Sequence, residues 1–263
     1  MRRANDERRT ISTEPHPQPY LDARLAGVYR AGNDMPEESL RAWAELIAAA
    51  SPVLTPDVLD VGTGTGMFAV ALARWAAARM VVAIDASPAM LAHADRHENV
   101  RYLTADAAAL PLAGARIDLA LLSRVIHHLP DRRGAGAELK RVLRPGGAAV
   151  VRTTVRERLD SIVYEYWPEL RPLDAGRFPS ESEIITDFSA SGLRVTGVLS
   201  FCQPVHAGLR AWRDAVQRRP QSKFGQLTDA QFRSGLDQLD KTIAAGASAD
   251  PVSERYDVLI FAA

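Results

Sequence analysis

The chain has 263 residues, 32 lysines and arginines against 32 aspartates and glutamates, and a single cysteine. Its length suits one enzyme-sized domain, and its balanced charge disfavours nucleic acid or an anionic membrane as a partner. One cysteine excludes a disulfide within the chain, no apolar run reaches the roughly 18 residues of a membrane span, and the N-terminus lacks the apolar core of a signal peptide. We therefore expect a cytoplasmic protein that is a monomer or a homodimer.

The N-terminal part divides into a polar stretch and a helical one. Residues 1–19 are charged and rich in proline, with few apolar side chains, so we expect a disordered tail. A helix is predicted after it, because Asn33 or Asp34 can cap it, Pro36 suits the first turn and apolar side chains then recur at helical spacing.

Short apolar runs then alternate with helical ones as far as residue 154. The predicted strands are 58–61, 80–84, 100–103, 117–123 and 148–154, and the predicted helices between them are 65–79, 87–97 and 131–143. This alternation with short links predicts a mostly parallel sheet covered by helices on both faces.

The pattern changes after residue 154. Capping boxes at Ser180 with Glu183 and at Thr228 with Gln231 predict the starts of two helices. Gly192 is the expected stop of the first. Strands are predicted over 193–201 and 256–263, and a further helix over 209–216. Cys202 lies in an apolar setting and is expected to be a buried, inert thiol.

Three glycines alternate in the stretch LDVGTGTG, between a strand and a helix. A dinucleotide fingerprint would need its third glycine at position 67, which is Met67. Gly62, Gly64 and Gly66 instead leave a bare turn with outward N–H groups, and Asp60 before it suits an amino acid moiety better than a pyrophosphate. The alternative is a tight turn that holds no ligand.

Acidic residues also follow the next two predicted strands. Asp85 can accept hydrogen bonds from both hydroxyls of a ribose, although dinucleotide folds share this feature. Asp106 can accept a bond from an exocyclic adenine amine while Ala107 supplies an N–H group; a solvated loop aspartate is the alternative. These residues fall at successive carboxyl ends of a parallel sheet, where open α/β folds bind ligands.

Residues 54–154 resemble the class I S-adenosylmethionine-dependent methyltransferases, in particular the small-molecule group of types 11 and 25. The segments that carry the resemblance read LDVGTGTG, AIDASPAML, DAAALP, HHLPD and LRPGG. The family's fold is a Rossmann-like, seven-stranded, mostly parallel sheet whose last strand is antiparallel. The resemblance implies S-adenosylmethionine as methyl donor and S-adenosylhomocysteine as product.

The resemblance also implies a domain plan and a set of cofactor contacts. After the 1–19 tail, one methyltransferase domain spans 20–263, with a lid region at 20–50, the cofactor-binding core at 54–154 and lid insertions at 155–179 and 202–254. The implied contacts are Asp60, Gly62, Thr63, Gly64 and Gly66 for the methionine portion, Asp85 for the ribose, Asp106 and Ala107 for the adenine, and Ser123 and Arg124 behind the sulfonium. Ala86 and Met90 are further implied contacts of the cofactor.

His127 and His128 are the candidate catalytic residues beside the expected methyl group. If the acceptor is a hydroxyl, a histidine that titrates near neutrality suits the removal of its proton. The alternative is that one or both pack in the loop. Adjacent histidines lack the i,i+4 spacing of metal ligands on a helix, and no Cys/His cluster accompanies them, so no metal is expected.

The acceptor is predicted to be a small molecule. The segment after the fourth strand reads SRVIHH, not the Asn/Asp-Pro-Pro-aromatic segment common in enzymes that methylate base amines. Tyr20, Tyr29, Tyr164, Tyr166 and Trp167 are candidate residues of an aromatic substrate wall, with core packing as the alternative. Two other functions stay open: a non-methylating reaction that uses the bound cofactor, and a noncatalytic cofactor-binding subunit.

Overall fold

A computed structural model describes residues 35–219, 221–246 and 250–263. The predicted tail, the caps Asn33 and Asp34, and the aromatic candidates Tyr20 and Tyr29 lie outside these ranges. No helix within the described ranges is both long and apolar enough to cross a bilayer.

A seven-stranded sheet crosses the described part of the chain. Its strands are β1 Asp57–Val61, β2 Met80–Asp85, β3 Val100–Thr104, β4 Ile117–Ser123, β5 Leu143–Thr153, β6 Arg194–His206 and β7 Val252–Ala262. Their order is β3-β2-β1-β4-β5-β7-β6, and only β7 runs antiparallel to its neighbours. The predicted fold class is confirmed. Strand order reverses between β1 and β4, which is where open α/β sheets form their ligand crevice.

Helices cover both faces of the sheet. They are α1 Glu37–Ala48, α2 Met67–Trp75, α3 Pro88–Ala92, α4 Arg132–Val142, α5 Val163–Tyr166, α6 Leu170–Arg177, α7 Glu181–Ser189, α8 Leu209–Val216 and α9 Asp229–Ala244. Alternate residues of the central strands enter two separate apolar clusters, one with α1 and α2 and the other with α4 and α7. Each fully buried aliphatic side chain in these clusters contributes about 1.5–3 kcal/mol.

Both predicted capping boxes are present. The Ser180 hydroxyl accepts the Glu183 N–H while the Glu183 carboxylate accepts the Ser180 N–H, and Thr228 and Gln231 do the same at α9. Asp131 caps α4 by accepting the Gly134 N–H. These contacts are local in sequence, so the start of each helix was predictable.

Three predicted helix boundaries are wrong. Pro36 lies just before α1 and not in its first turn. The helix predicted over 65–79 spans only α2, because Gly66 at its start and Ala77 after its end have positive φ angles of 80° and 48°. The helix predicted over 87–97 stops at Ala92, since the Asp95 N–H donates to the Thr65 carbonyl at 3.2 Å and not to the Leu91 carbonyl one turn earlier.

The sheet also takes up more of the C-terminal half than predicted. Strand β5 begins at Leu143 and not at residue 148, and β6 continues to His206. The insertion predicted over 202–254 is therefore limited to the segment between β6 and β7. Cys202, expected to be buried, is exposed, because its position on β6 places its side chain on the solvent side of the strand.

The two segments predicted as lid insertions pack against each other in a third apolar cluster, which we call the lid cluster. It contains Trp167 and Tyr166 from the first insertion and Trp212, Phe224 and Phe232 from the second. Trp167 is fully buried, stacks on Phe232 with ring centroids 5.6 Å apart, and donates from Nε1 to the Phe232 carbonyl at 3.1 Å. The candidates Trp167 and Tyr166 therefore fill the lid cluster and do not form a substrate wall.

Packing of the lid cluster requires a glycine at position 235 of α9. A Cβ there would lie 2.7 Å from Trp167 Cδ1, whereas a Cβ at the helical Gly176 of α6 would meet nothing within 4 Å. We expect Gly235→Ala to lower the free energy of unfolding by about 1–3 kcal/mol through overpacking. Gly176→Ala should raise it by about 0.5–1 kcal/mol through helix propensity. Urea unfolding of both variants checks this, and shifts of the same sign would contradict it.

Candidate active site

The turn between β1 and α2 depends on bare backbone. Gly62, Gly64 and Gly66 have φ angles of +69°, +58° and +80°, in the left-handed region that glycine favours. A Cβ at Gly62 would also lie 2.7 Å from Val125 Cβ, and one at Gly66 would lie 2.9 Å from Tyr102 Cζ. The three glycines therefore hold the turn in a shape that side chains would prevent.

Asp60 ends β1 beneath this turn. It is 1% exposed, and its Oδ2 accepts the Thr63 hydroxyl at 2.6 Å. Burial raises the pKa of Asp60 to about 7; the Thr63 hydrogen bond opposes this rise and the Asp85 carboxylate adds to it. Asp60 is thus a carboxyl group that changes charge near neutral pH.

The other two predicted carboxylates lie at neighbouring strand ends. Asp85 accepts the Gly64 N–H at 2.8 Å and the Ser87 N–H at 2.8 Å, so it fixes the glycine turn to the end of β2. Burial raises the pKa of Asp85, against the effect of these two bonds. Asp106 is exposed after β3 and accepts the Ala108 N–H at 2.8 Å.

The remaining predicted adenosine contacts differ in accessibility. Met90 is 3% exposed and Ala107 is 9% exposed, whereas Ala86 lies on the surface beside Asp85. At Met90 and Ala107, a ligand can therefore contact only main-chain groups or the small exposed part of each side chain.

A cavity of about 330 Å³ opens between the glycine turn, the end of β4 and the helices α1, α2 and α8. Among its lining residues are the predicted residues Asp60, Gly62, Thr63, Ser123 and Arg124. We call this the first cavity. Asp85 and Asp106 do not line it; Asp85 is the last residue of β2, and Asp106 follows the end of β3.

Arg152 on β5 is a lining residue that the sequence analysis missed. Its side chain is 1% exposed, its guanidinium carbon lies 3.6 Å from the centre of the Tyr256 ring, and Nη1 donates to Ser123 Oγ at 3.3 Å. Nε and Nη2 have no hydrogen-bond acceptor among the described residues. Burial lowers the pKa of this arginine. A lone arginine within the apolar run AAVVRTT was the available signal.

The two histidines form a 3₁₀ turn after β4. Their rings lie 4.1 Å apart, and Arg177 Nη2 lies 3.1 Å from His128 Nε2. Burial, together with the charges of Arg177 and Arg124, lowers the pKa of His128 to about 3, and burial lowers the pKa of His127 well below its usual value. The expectation of a histidine that titrates near neutrality is therefore wrong for both.

A second cavity of about 60 Å³ adjoins the first, with which it shares Arg124, Gln221, Glu254 and Tyr256. The predicted residues His127 and Tyr164 line it, as do Asp174, Arg177 and Lys223, which the sequence analysis missed. No local pattern marks these three, because the packing of the lid brings them together.

Comparisons with known proteins agree with this architecture. A family model described as a methyltransferase domain matches residues 59–151. The malonyl-acyl-carrier-protein O-methyltransferase of Hahella chejuensis is 33% identical over 145 residues, which cover 52% of this chain and 50% of that protein. The chain spans about two fifths to one half of the length of the curated relatives it matches.

Two solved structures share the fold. One, described as a methyltransferase from an antibiotic biosynthesis pathway of Anabaena variabilis, has a TM-score of 0.73 at 22% identity and covers 89% of this chain and 99% of that chain. The cyclase SpnF has a TM-score of 0.58 at 18% identity and covers 88% of this chain and 83% of that chain. Residues 59–151 therefore match a methyltransferase domain, within a fold that the chain shares with solved methyltransferase structures.

Proposed function

We propose that the chain transfers a methyl group from S-adenosylmethionine to a small-molecule acceptor. The observation that carries the proposal is the glycine turn above a buried Asp60, open to the first cavity at the point where strand order reverses. The O-methyltransferase activity named for the Hahella relative supports oxygen as the accepting atom.

Arg152 provides a test of whether the residues fit this cofactor. Two of its nitrogens lack an acceptor among the described residues and its side chain lines the first cavity, close to the glycine turn. A buried guanidinium is strongly stabilised by a carboxylate, and the methionine portion of the cofactor carries one. The Asp60 carboxylate suits the amino group of the same portion, so the residues of the first cavity fit the cofactor.

The remaining predicted contacts would hold the rest of the cofactor. Asp85 keeps lone pairs for a ribose after accepting its two main-chain N–H groups, and Asp106 is exposed at the next strand end for an adenine amine. When bound, S-adenosylmethionine supplies a methyl group that its sulfonium has already activated. The main tasks left to the chain are therefore alignment of the acceptor and exclusion of water.

The lid contributes to the exclusion of water. Trp212 and Val216 belong to the lid cluster and also line the first cavity, so the apolar lid faces the site. Ser123 and Arg124, at the end of β4, line the same cavity, and Arg124 lines both cavities. An acceptor in the first cavity would therefore contact the apolar lid as well as the end of β4.

The histidines are suited to positioning an acceptor more than to removing its proton. A group whose pKa is about 3 is neutral at pH 7 and is a weak base, since an effective base has a pKa near the working pH. The surrounding cations favour an acceptor that is already ionised. We therefore propose that His127, which lines the second cavity, orients the acceptor through its neutral ring, whereas His128 lines neither cavity and contacts Arg177.

The role of His128 can be measured with the first acceptor that accepts isotope-labelled methyl. A general base contributes about 10²–10⁴-fold in rate. We expect His128→Ala to keep turnover within about tenfold of the parent, with the same shape of pH profile between pH 5 and 9. A loss of about 10²-fold or more, together with the loss of a pH inflection, would establish His128 as the base.

Calorimetric titration with S-adenosylhomocysteine tests the cofactor proposal directly. We expect one site with micromolar affinity. Failure to bind at that level would overturn the proposal, because the glycine turn and Asp60 would then have no cofactor to hold.

A second candidate function is a non-methylating reaction that keeps the cofactor bound. The observation in its favour is the fold shared with the cyclase SpnF. Isotope-labelled methyl distinguishes the two, because only a transferase moves the label into the product. A noncatalytic subunit would bind S-adenosylhomocysteine but turn over nothing until a companion protein is added.

Arg152 yields a further prediction. Arg152→Met keeps the side-chain volume and removes a buried charge that forms no ion pair within 4.0 Å among the described residues and is attracted only from farther away by Glu254. We expect the free energy of unfolding of the ligand-free protein to rise by about 1–2 kcal/mol and affinity for S-adenosylhomocysteine to fall about tenfold. Urea unfolding and calorimetry measure the two. Lower stability with unchanged affinity would instead assign Arg152 to packing alone.

A further inference from the structure

The two outer strands of the sheet differ in length and in charge. Strand β3 forms one edge; it has five residues, and its Arg101 is exposed. Strand β6 forms the other edge; it has 13 residues, and none of the described strands pairs with its outer side. Sheets are protected from pairing with another chain when an edge strand is short or carries charged side chains. The β3 edge has both kinds of protection, whereas the β6 edge is long.

The middle of β6 is also free of charge and regular in its pairing. Residues 195–205 include no lysine, arginine, aspartate or glutamate. The register with β7 shifts just before Gly197 and again after Pro204, and between these points the pairing is continuous. We call residues 197–203 the edge segment. Every second residue of an antiparallel strand directs its N–H and C=O away from its neighbour, so the edge segment presents main-chain donors and acceptors outward.

Apolar side chains accompany these main-chain groups on both faces of the edge segment. Val198 is 40% exposed and Leu199 is 42% exposed. Successive side chains of a strand point to opposite faces, so each face of the sheet edge carries one of the two. A strand added at this edge would therefore form hydrogen bonds and also cover apolar surface on both faces.

The charges of β6 favour a second copy of the chain, paired antiparallel, as the added strand. Arg194, its first residue, is the only lysine, arginine, aspartate or glutamate in the strand. Antiparallel self-pairing keeps the two Arg194 side chains at opposite ends and places one uncharged segment against the other, whereas parallel self-pairing would set the two arginines side by side. His206, at the far end of β6, does not repel Arg194 of the second copy at neutral pH, because burial lowers the pKa of His206. Antiparallel self-pairing also has two-fold symmetry, the commonest symmetry of homo-oligomers.

The edge segment is separate from the candidate active site. None of residues 197–203 lines either cavity, and the residues of β6 that line the first cavity are Val205 and His206, beyond the segment. Pairing at the edge segment therefore does not fill a cavity, and it does not depend on the function proposed for the site.

We propose that the chain forms a homodimer in which residues 197–203 pair antiparallel with the same segment of a second copy. The pairing joins two seven-stranded sheets across a two-fold axis. It satisfies the outward main-chain groups of the edge segment and packs Val198 and Leu199 of the two copies together on the two faces of the joined sheet.

Sedimentation of the full chain over a range of concentrations tests the inference. We expect the parent to sediment as a dimer that dissociates on dilution. Leu199→Lys should weaken the dimer about 100-fold or more, because the two-fold axis brings two ammonium groups close together, and Val198→Lys should do the same from the other face. Leu173→Lys, the same change at an equally exposed position of α6, should leave the dimer unchanged.

Hydrogen exchange shows whether the edge segment is the interface. Amide hydrogens of residues 197–203 should exchange more slowly in the parent dimer than in Leu199→Lys, because the outward N–H groups donate only when the second copy is present. Both positions are exposed, so we expect urea unfolding of the two lysine variants, measured where each is monomeric, to match that of the parent at the same dilution. Affinity for S-adenosylhomocysteine should also be unchanged.

Four outcomes would overturn the inference. They are a parent that sediments as a monomer at every concentration, dimers of Leu199→Lys and Val198→Lys as tight as that of the parent, equal weakening by Leu173→Lys, and equal exchange of residues 197–203 in the dimer and the monomer. Failure to bind S-adenosylhomocysteine would overturn the cofactor proposal and leave this one standing, because the dimer is measured without that ligand.

Discussion

Gly62→Ala is expected to weaken binding of S-adenosylhomocysteine by 100-fold or more, on the order of 3 kcal/mol. The added Cβ would lie 2.7 Å from Val125 Cβ, and a β-branched side chain cannot easily turn away. The φ of +69° adds left-handed strain for any residue with a Cβ. Strain and overpacking together should lower the free energy of unfolding by about 3 kcal/mol, which urea unfolding measures beside the calorimetric affinity.

Gly146→Ala is the matched control for this variant. Gly146 has a φ of +80°, so alanine meets the same backbone strain there, but an added Cβ would meet nothing within 4 Å. We expect a loss of only about 1–2 kcal/mol of stability and unchanged affinity for S-adenosylhomocysteine. If Gly62→Ala bound that ligand as tightly as the parent and lost no more stability than Gly146→Ala, the glycine turn would not be the cofactor site.

Most of the fold was predictable because its signals are local. Apolar runs bounded by polar residues gave the strands of the parallel sheet, and the boxes at Ser180 and Thr228 gave two helix starts. The predicted helices extend beyond the observed ones where contacts between residues distant in sequence determine the helix ends. The periodic pattern of 87–97 could not show that the Asp95 N–H donates to the distant Thr65 carbonyl, which is why the helix does not continue past Ala92.

The site residues also divide into those that the sequence could predict and those that it could not. Asp60 and Ser123 meet at one cavity because carboxyl ends of adjacent parallel strands share an edge, and that follows from strand order alone. Lys223 and Arg177 reach the second cavity only because the two insertions pack together, and spacing in the sequence carries no trace of that. The prediction that Trp167 belongs to a substrate wall was wrong, because the sequence of an irregular segment does not show which neighbours an aromatic side chain contacts.

The charge of Asp60 should control both stability and cofactor affinity near neutral pH. The pKa of Asp60 is about 7 in the folded state and 3.8 for an unperturbed aspartate, so between these limits the folded protein binds more protons than the unfolded chain. Stability contributed by Asp60 is therefore highest below pH 4 and falls as pH rises to about 7, by about 4 kcal/mol at most. The histidines act in the opposite direction, because their lowered pKa values make the folded state lose stability as pH falls below 6.5.

Comparison with Asp60→Asn isolates the aspartate from the histidines, since both proteins carry the same histidine effect. We expect the stability of Asp60→Asn relative to the parent to increase from pH 5 to pH 8 in urea unfolding. The parent should bind S-adenosylhomocysteine more tightly as pH rises through about 7, because the ionised carboxylate pairs with the amino group of the ligand. Asp60→Asn should bind about 10–100-fold more weakly at pH 8, with no such rise.

Asp237→Asn, the same change at an exposed position of α9, should match the parent in both measurements. A stability difference between Asp60→Asn and the parent that did not vary with pH would mean that Asp60 is already ionised across this range. An equal rise of affinity with pH in Asp60→Asn would assign the titration to another group and remove Asp60 from the amino-group contact. The expected pair of results requires that one buried carboxyl group both destabilises the empty site and binds its ligand.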